Sequence, residues 1–124
     1  QPQYADLIGP WRVPIIFYVP GLERLTTEKQ RMVQHIDILP TVTDLVGLNV
    51  QDRLLLGQSV FDLGHPGRIY NYTHYGYWYM NPEVMIDFTR GGTYRAFSHK
   101  GSWAMQERPH DAVSESAFKD LRAI

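Results

Sequence analysis

The sequence predicts an α/β chain, or α+β when its parts are taken by themselves: the end of an α/β layer, then a small antiparallel sheet and a closing helix. Three observations predict it. VPIIFYVPG at 13 to 21 is a β-branched and aromatic run bounded by prolines, as a strand would be. HIDILPTVTDLVGL at 35 to 48 carries apolar residues at helical spacing. From Arg68 onward, short aromatic and β-branched runs alternate with turn residues, the pattern of an antiparallel meander. The expected division is therefore 1–66 for the α/β part and 67–124 for the antiparallel subdomain.

The first element is expected as a buried strand over Trp11 to Val19, closed by Pro20-Gly21. Its near-continuous hydrophobicity predicts a strand covered on both faces, as in a parallel or mixed sheet. A charged stretch from 22 to 34 leads to the helix. There Asp37 is placed to accept from the free N–H groups of the first turn, and Pro40 falls where its missing donor costs little. Gly47 is placed to end the helix in a left-handed conformation. Leu39, Val42 and Val46, with Ile38 and Leu45, form a stripe expected to pack on the sheet.

In the second part, Arg68 to Trp78 reads as one strand, Val84 to Phe88 as another and Tyr94 to His99 as a third, after a Gly91-Gly92 turn. Ser102 to Gln106 reads as a fourth. Ser114 is placed to cap a last helix in which Ala117, Phe118, Leu121 and Ile124 share a face, with Lys119 and Arg122 favoured by the dipole near its end.

Bulk properties exclude several classes of function. The 124 residues carry a net charge of -1, with no basic face for nucleic acid and no polybasic segment for a membrane surface. No apolar run approaches the roughly 20 residues of a bilayer span, so this segment is not expected to insert directly into a membrane. With no cysteine there is no disulfide framework and no thiolate metal site or nucleophile. The chain begins at Gln1 rather than methionine, which leads us to expect a piece of a longer polypeptide.

Taken together, RVPIIFYVPG, HIDILPTVTDLVGL and LLGQSVF resemble the final third of the sulfatase family, within the alkaline phosphatase superfamily. Asp37, Pro40, Thr41, Gly47, Gly57 and Ser59 fall where that pattern puts them. The resemblance implies a parent that is a metal-dependent sulfuric ester hydrolase, or a phosphoglycerol or phosphoethanolamine transferase. It also implies a divalent metal in the parent (Ca, Mn, Mg or Zn) and a catalytic part N-terminal to this segment in the same polypeptide. For the parent it implies a periplasmic or extracellular location. The family's acidic and histidine metal ligands and its nucleophile lie in motifs that this sequence lacks: it has no Asp-His, no Asp-Asp and no x-Pro-x-Arg turn. No catalytic or metal-binding residue is therefore assigned, and this chain alone is expected to be inactive.

The residues read the same way without the family. The five histidines are scattered singly, and His35 with Asp37 reads as a cap and its neighbour rather than a ligand pair. Ser59 lacks a nucleophile elbow and an adjacent base, so it reads as a turn or helix-start serine. The stretch YNYTHYGYWYM at 70 to 80 reads first as a core and cover strand. Its functional reading places His74, Tyr75, Tyr77 and Trp78 at the rim of a substrate cleft, where rings with polar tips suit a sugar, a lipid head group or an aryl ester. Gly76 in mid-strand predicts a bulge or a close approach there. The alternative to the enzyme is a self-standing α+β module that uses strand 70–79 to hold a carbohydrate or a peptide.

Overall fold

The computed structural model describes residues 13–21, 31–48, 57–64, 66–99 and 105–123. They form an α+β arrangement: five antiparallel strands with two α-helices. A 3₁₀ turn at His35–Asp37 leads into α1, Ile38–Leu45. The strands are β1 (Ile69–Thr73), β2 (Gly76–Met80), β3 (Val84–Thr89), β4 (Tyr94–Ser98) and β5 (Gln106–Arg108), paired in sequence order. Helix α2, Ala112–Arg122, closes the chain. The meander is as expected, with strands paired in sequence order and short turns joining β1 to β2, β2 to β3 and β3 to β4.

Three turns set the registers. Asn81 Oδ1 accepts from the N–H groups of Glu83 and Val84, closing the β2–β3 connection. Between β3 and β4, Gly92 adopts φ +82° and donates to the Thr89 carbonyl. The first turn departs from expectation. Arg68 to Trp78 is not one strand but a hairpin, with Thr73 opposite Gly76 and only His74-Tyr75 between them. No non-glycine residue among those described has positive φ, so this turn lacks the primed geometry that Asn-Gly or Gly-X would announce. Thr73 makes it instead: its hydroxyl accepts from the Tyr75 N–H at 3.3 Å and lies 3.4 Å from the Gly76 carbonyl. Gly76 answers a close approach, since a Cβ there would run into the Phe88 carbonyl oxygen.

Both faces of the sheet are apolar. On one, Tyr79, Val84, Ile86 and Ala96 pack with Ala117 and Leu121 of α2. On the other, Met80, Met85 and Phe97 pack with Met32, Ile69, Trp78 and Met105. All four methionines of the chain thus gather on one face. Burying an aliphatic side chain such as Val84 or Ile86 stabilises the fold by about 1.5–3 kcal/mol, which makes these two clusters the main source of stability.

Helix α2 starts one turn earlier than expected. Asp111, not Ser114, is its N-cap: the Ser114 N–H donates to Asp111 Oδ1, and the Asp111 N–H donates back to the buried Ser114 hydroxyl. Phe118 and Leu121 face the sheet as the spacing predicts, while Ile124 lies outside the described residues.

Two expectations for the first part are corrected. Residues 13–19 form no strand, and Ile16 and Tyr18 are 83% and 86% exposed. Alternation of exposed and half-buried positions shows one wetted side rather than two covered faces. Pro14 and Pro20 remove donors, and no neighbouring strand supplies a ladder among the described residues. The apolar stripe of α1 does not pack on the sheet either: Leu39 is 59% exposed, and Val42 and Val46 are exposed with it. The side of α1 turned inward carries Pro40 and Thr41, because hydrogen bonds rather than apolar contacts orient the helix. Trp11, the stretch 22–30, Leu54 to Leu56 and Ser102 to Ala104 lie outside the described residues. The fourth predicted strand is therefore represented by β5 alone.

Two measurements test this account. Gly76→Ala should destabilise the chain by about 1–3 kcal/mol in urea unfolding, because the Phe88 carbonyl leaves no room for a methyl. Asp111 has its pKa lowered, first by the Ser114 N–H and then by the Arg108 guanidinium. A depressed folded pKa means that the contact is at full strength above the ordinary carboxylate range and is lost as pH falls through it. The difference in melting midpoint between the native chain and Asp111→Asn should accordingly be largest at neutral pH and shrink below about pH 4.

Candidate functional site

The hairpin divides the four residues predicted to line a cleft. His74 and Tyr75 form its tip, both exposed, with ring centroids 3.9 Å apart. Tyr77 and Trp78 are consecutive in β2, so they point to opposite faces. Trp78 lies on the methionine face, where its indole N–H donates to Asp87 Oδ1 at 3.0 Å. Arg95 reaches the other oxygen of that carboxylate at 2.6 Å, and its guanidinium lies over the Phe97 ring. These cross-strand contacts hold Trp78 on that face.

Tyr77 belongs to a different group. The registers place Tyr72, Tyr77, Phe88 and Tyr94 side by side across β1 to β4. Phe118 of α2 covers one end of this row, 5.2 Å from Phe88 and 4.3 Å from Tyr94 by ring centroids, and His110 stacks on Tyr94 at 4.2 Å. Helix α2 packs on β2 and β3, and the other end stays open. There Tyr72 and Tyr77 are 55% and 48% exposed, with centroids 5.0 Å apart and planes inclined by 50°. Arg90, from the β3–β4 turn, donates to the Tyr72 hydroxyl at 2.7 Å. Tyr72 and Arg90 were not among the predicted site residues. Reading His74-Tyr75 as a two-residue turn would have paired Tyr72 with Tyr77, but that dipeptide carries no turn signal.

A second concavity, of about 410 Å³, lies where the loop before β1 meets β2 and α2. Arg68, Tyr79, Asn81, Glu83 and Asp120 supply its polar groups. The Tyr79 hydroxyl lies 3.3 Å from Asp120 Oδ2 and is its donor while protonated. Burial raises the Tyr79 pKa, a nearby Asn81 hydrogen bond opposes it, and the Asp120 charge reinforces it. Tyr70 is also raised by burial, against the pull of Arg68. Both phenols therefore remain donors at neutral pH. Among the described residues, no three His, Cys, Asp or Glu side chains are grouped to hold a metal ion. Nor is any described helix long and apolar enough to cross a membrane.

The GQS segment is bound to α1 by a hydrogen-bonded knot. Asp37 does not cap the first turn of α1, because its own backbone is already helical. Its buried carboxylate accepts instead from the N–H groups of Gln34 and Gln58, both at 2.9 Å. Thr41, fully buried, donates to the Asp37 carbonyl at 2.6 Å and accepts from the Val60 N–H at 3.0 Å. Ser59 donates to Asp44 at 2.6 Å and accepts from the Phe61 N–H, the arrangement of a turn serine. A Cβ at Gly57 would meet the Ile36 carbonyl, and Gly47 ends the helix at φ +69°. No family model, curated protein or solved structure matches the chain.

Removing the Asp37 carboxylate orphans two backbone N–H groups rather than one cap. Asp37→Ala should lower stability by about 1–3 kcal/mol in urea unfolding. It should also raise amide exchange at Gln58 and Val60 while leaving β3 protected. Uniform loss of protection across the sheet would instead make the knot and the sheet one cooperative unit.

Proposed function

We propose that the chain is the non-catalytic C-terminal part of a metal-dependent sulfatase-like enzyme, a sulfuric ester hydrolase or a phosphoglycerol or phosphoethanolamine transferase. Its role in this reading is to complete the fold and to contribute a wall of the substrate cleft. The observation that carries the proposal is the knot. Four of the residues that bear the resemblance take part in it: Thr41 donates to the Asp37 carbonyl, Asp37 accepts from the Gln58 N–H, Ser59 donates to Asp44 of α1, and Gly57 lies against the backbone at Ile36 and Asp37. They do so while turning Leu39, Val42 and Val46 outward.

An apolar helix face that is exposed while its polar Thr41 is buried costs solvation free energy, and a covering domain would recover it. The apolar run at 13–19, in which Ile16 and Tyr18 are exposed, offers the same kind of surface. The metal ligands and nucleophile of this reading belong to motifs that are not in this sequence. No chemical step is therefore assigned to residues of this chain.

The test is an assay of aryl sulfate and aryl phosphate hydrolysis with divalent metals, using the 124-residue chain beside the longer polypeptide that carries it. Activity is expected only in the longer polypeptide. Leu39→Asp should change the stability of the isolated chain by less than about 0.5 kcal/mol, as for an exposed site, yet destabilise the longer polypeptide. A coding sequence that starts at this segment, or activity in the chain by itself, overturns the proposal.

A further inference from the structure

The open end of the aromatic row combines features that a covered sheet face does not need. Tyr72 and Tyr77 each expose about half of their surface, while their cross-strand neighbours Phe88 and Tyr94 are covered by Phe118. The cover stops at β2. A sheet built only for stability would continue it or place polar side chains at these two positions, because exposed rings gain little from burial.

Arg90 is the second feature. It reaches from the β3–β4 turn to the Tyr72 hydroxyl, on β1, which puts its guanidinium beside one of the two rings. Among the described residues it has no carboxylate partner, whereas Arg95 and Arg108 are each paired with an aspartate. One phenol occupies one of its five donors, and the planar fork keeps others for a bidentate acceptor. The site thus offers two apolar ring faces, two hydroxyls and one positive charge in a small area.

We propose that Tyr72, Tyr77 and Arg90 form a binding site for a saccharide that carries a carboxylate. A sugar ring has a face of C–H groups and a rim of hydroxyls. The face packs on the phenol rings, the rim meets the Tyr hydroxyls, and the carboxylate takes the free N–H groups of Arg90. A single-stranded nucleic acid would need a positively charged groove, which a chain of net charge -1 with one guanidinium here does not supply. A strand-adding peptide would use the edge of β1, where the Tyr70 N–H is already taken by the Gln34 side chain. The site stands on the sheet alone and is independent of the enzymatic reading above.

The test is titration of the full 124-residue chain with a glucuronate-containing disaccharide and with a neutral glucose disaccharide, followed by backbone amide shifts. Binding of the acidic sugar is expected with Kd of about 1 mM and shifts centred on β1, β2 and the β3–β4 turn. Tyr77→Ala should weaken it about tenfold, and Tyr77→Phe much less. Arg90→Gln, an exposed change that leaves the fold intact, should abolish the preference for the acidic over the neutral sugar. The proposal is overturned if the folded chain binds neither sugar, or if binding is indifferent to Tyr72→Ala and Arg90→Gln. A proline-rich peptide or oligonucleotide that saturates these residues where the sugar does not would overturn it equally.

Discussion

The Asp37 carboxylate, 7% exposed, is the contact on which the first half of the described chain depends. A buried carboxylate is tolerated only when its oxygens are engaged, and here one oxygen takes the Gln34 N–H and the other the Gln58 N–H. Those two donors come from segments 24 residues apart in sequence. The bond therefore closes a loop as well as satisfying a charge. Gln34 then extends the connection, since its side-chain oxygen accepts from the Tyr70 N–H at the edge of β1. Arg31 adds a further tie from its guanidinium to the Asp62 carbonyl at 2.6 Å. Through Asp37 and its neighbours, the helix, the GQS segment and the sheet are positioned relative to one another by polar contacts.

That polar attachment explains the unusual orientation of α1. With only eight residues, the helix has too little intrinsic stability to choose its own facing. Thr41, whose hydroxyl both donates and accepts inside the knot, fixes which side is turned inward. The apolar stripe follows outward by helical geometry. The sheet is organised by the opposite rule, with apolar contacts to α2 on part of one face and the methionine cluster on the other. The two halves are thus held by different forces.

Much of the sheet was legible in the sequence because turn chemistry announced it. Asn81-Pro82 and Gly91-Gly92 are residues whose side chain or lack of one makes a turn, and the strands between them appear where expected. The first hairpin was not legible, because its turn is made by a threonine hydroxyl around His74-Tyr75 and leaves no compositional mark. The hairpin also changes which of the predicted residues share a face. A continuous strand puts His74 and Trp78 on one face, whereas the hairpin sends Trp78 to the methionine side and pairs Tyr77 with Tyr72. The reading of Asp37 failed for a related reason. Sequence spacing identifies a carboxylate near a helix start, but not that a partner 21 residues later will claim it.

The stripe of α1 shows where periodicity stops being informative. Apolar residues at helical spacing establish that a face exists, and they say nothing of what lies against it. Within the described residues the sheet does not cover that face: its apolar clusters are formed with α2 on one side and with the methionines on the other. Polar groups of the knot are satisfied while Leu39, Val42 and Val46 are not. Satisfaction of the polar contacts makes this orientation a stable feature of the chain rather than a failure of packing. The exposed stripe is therefore a surface that the fold presents.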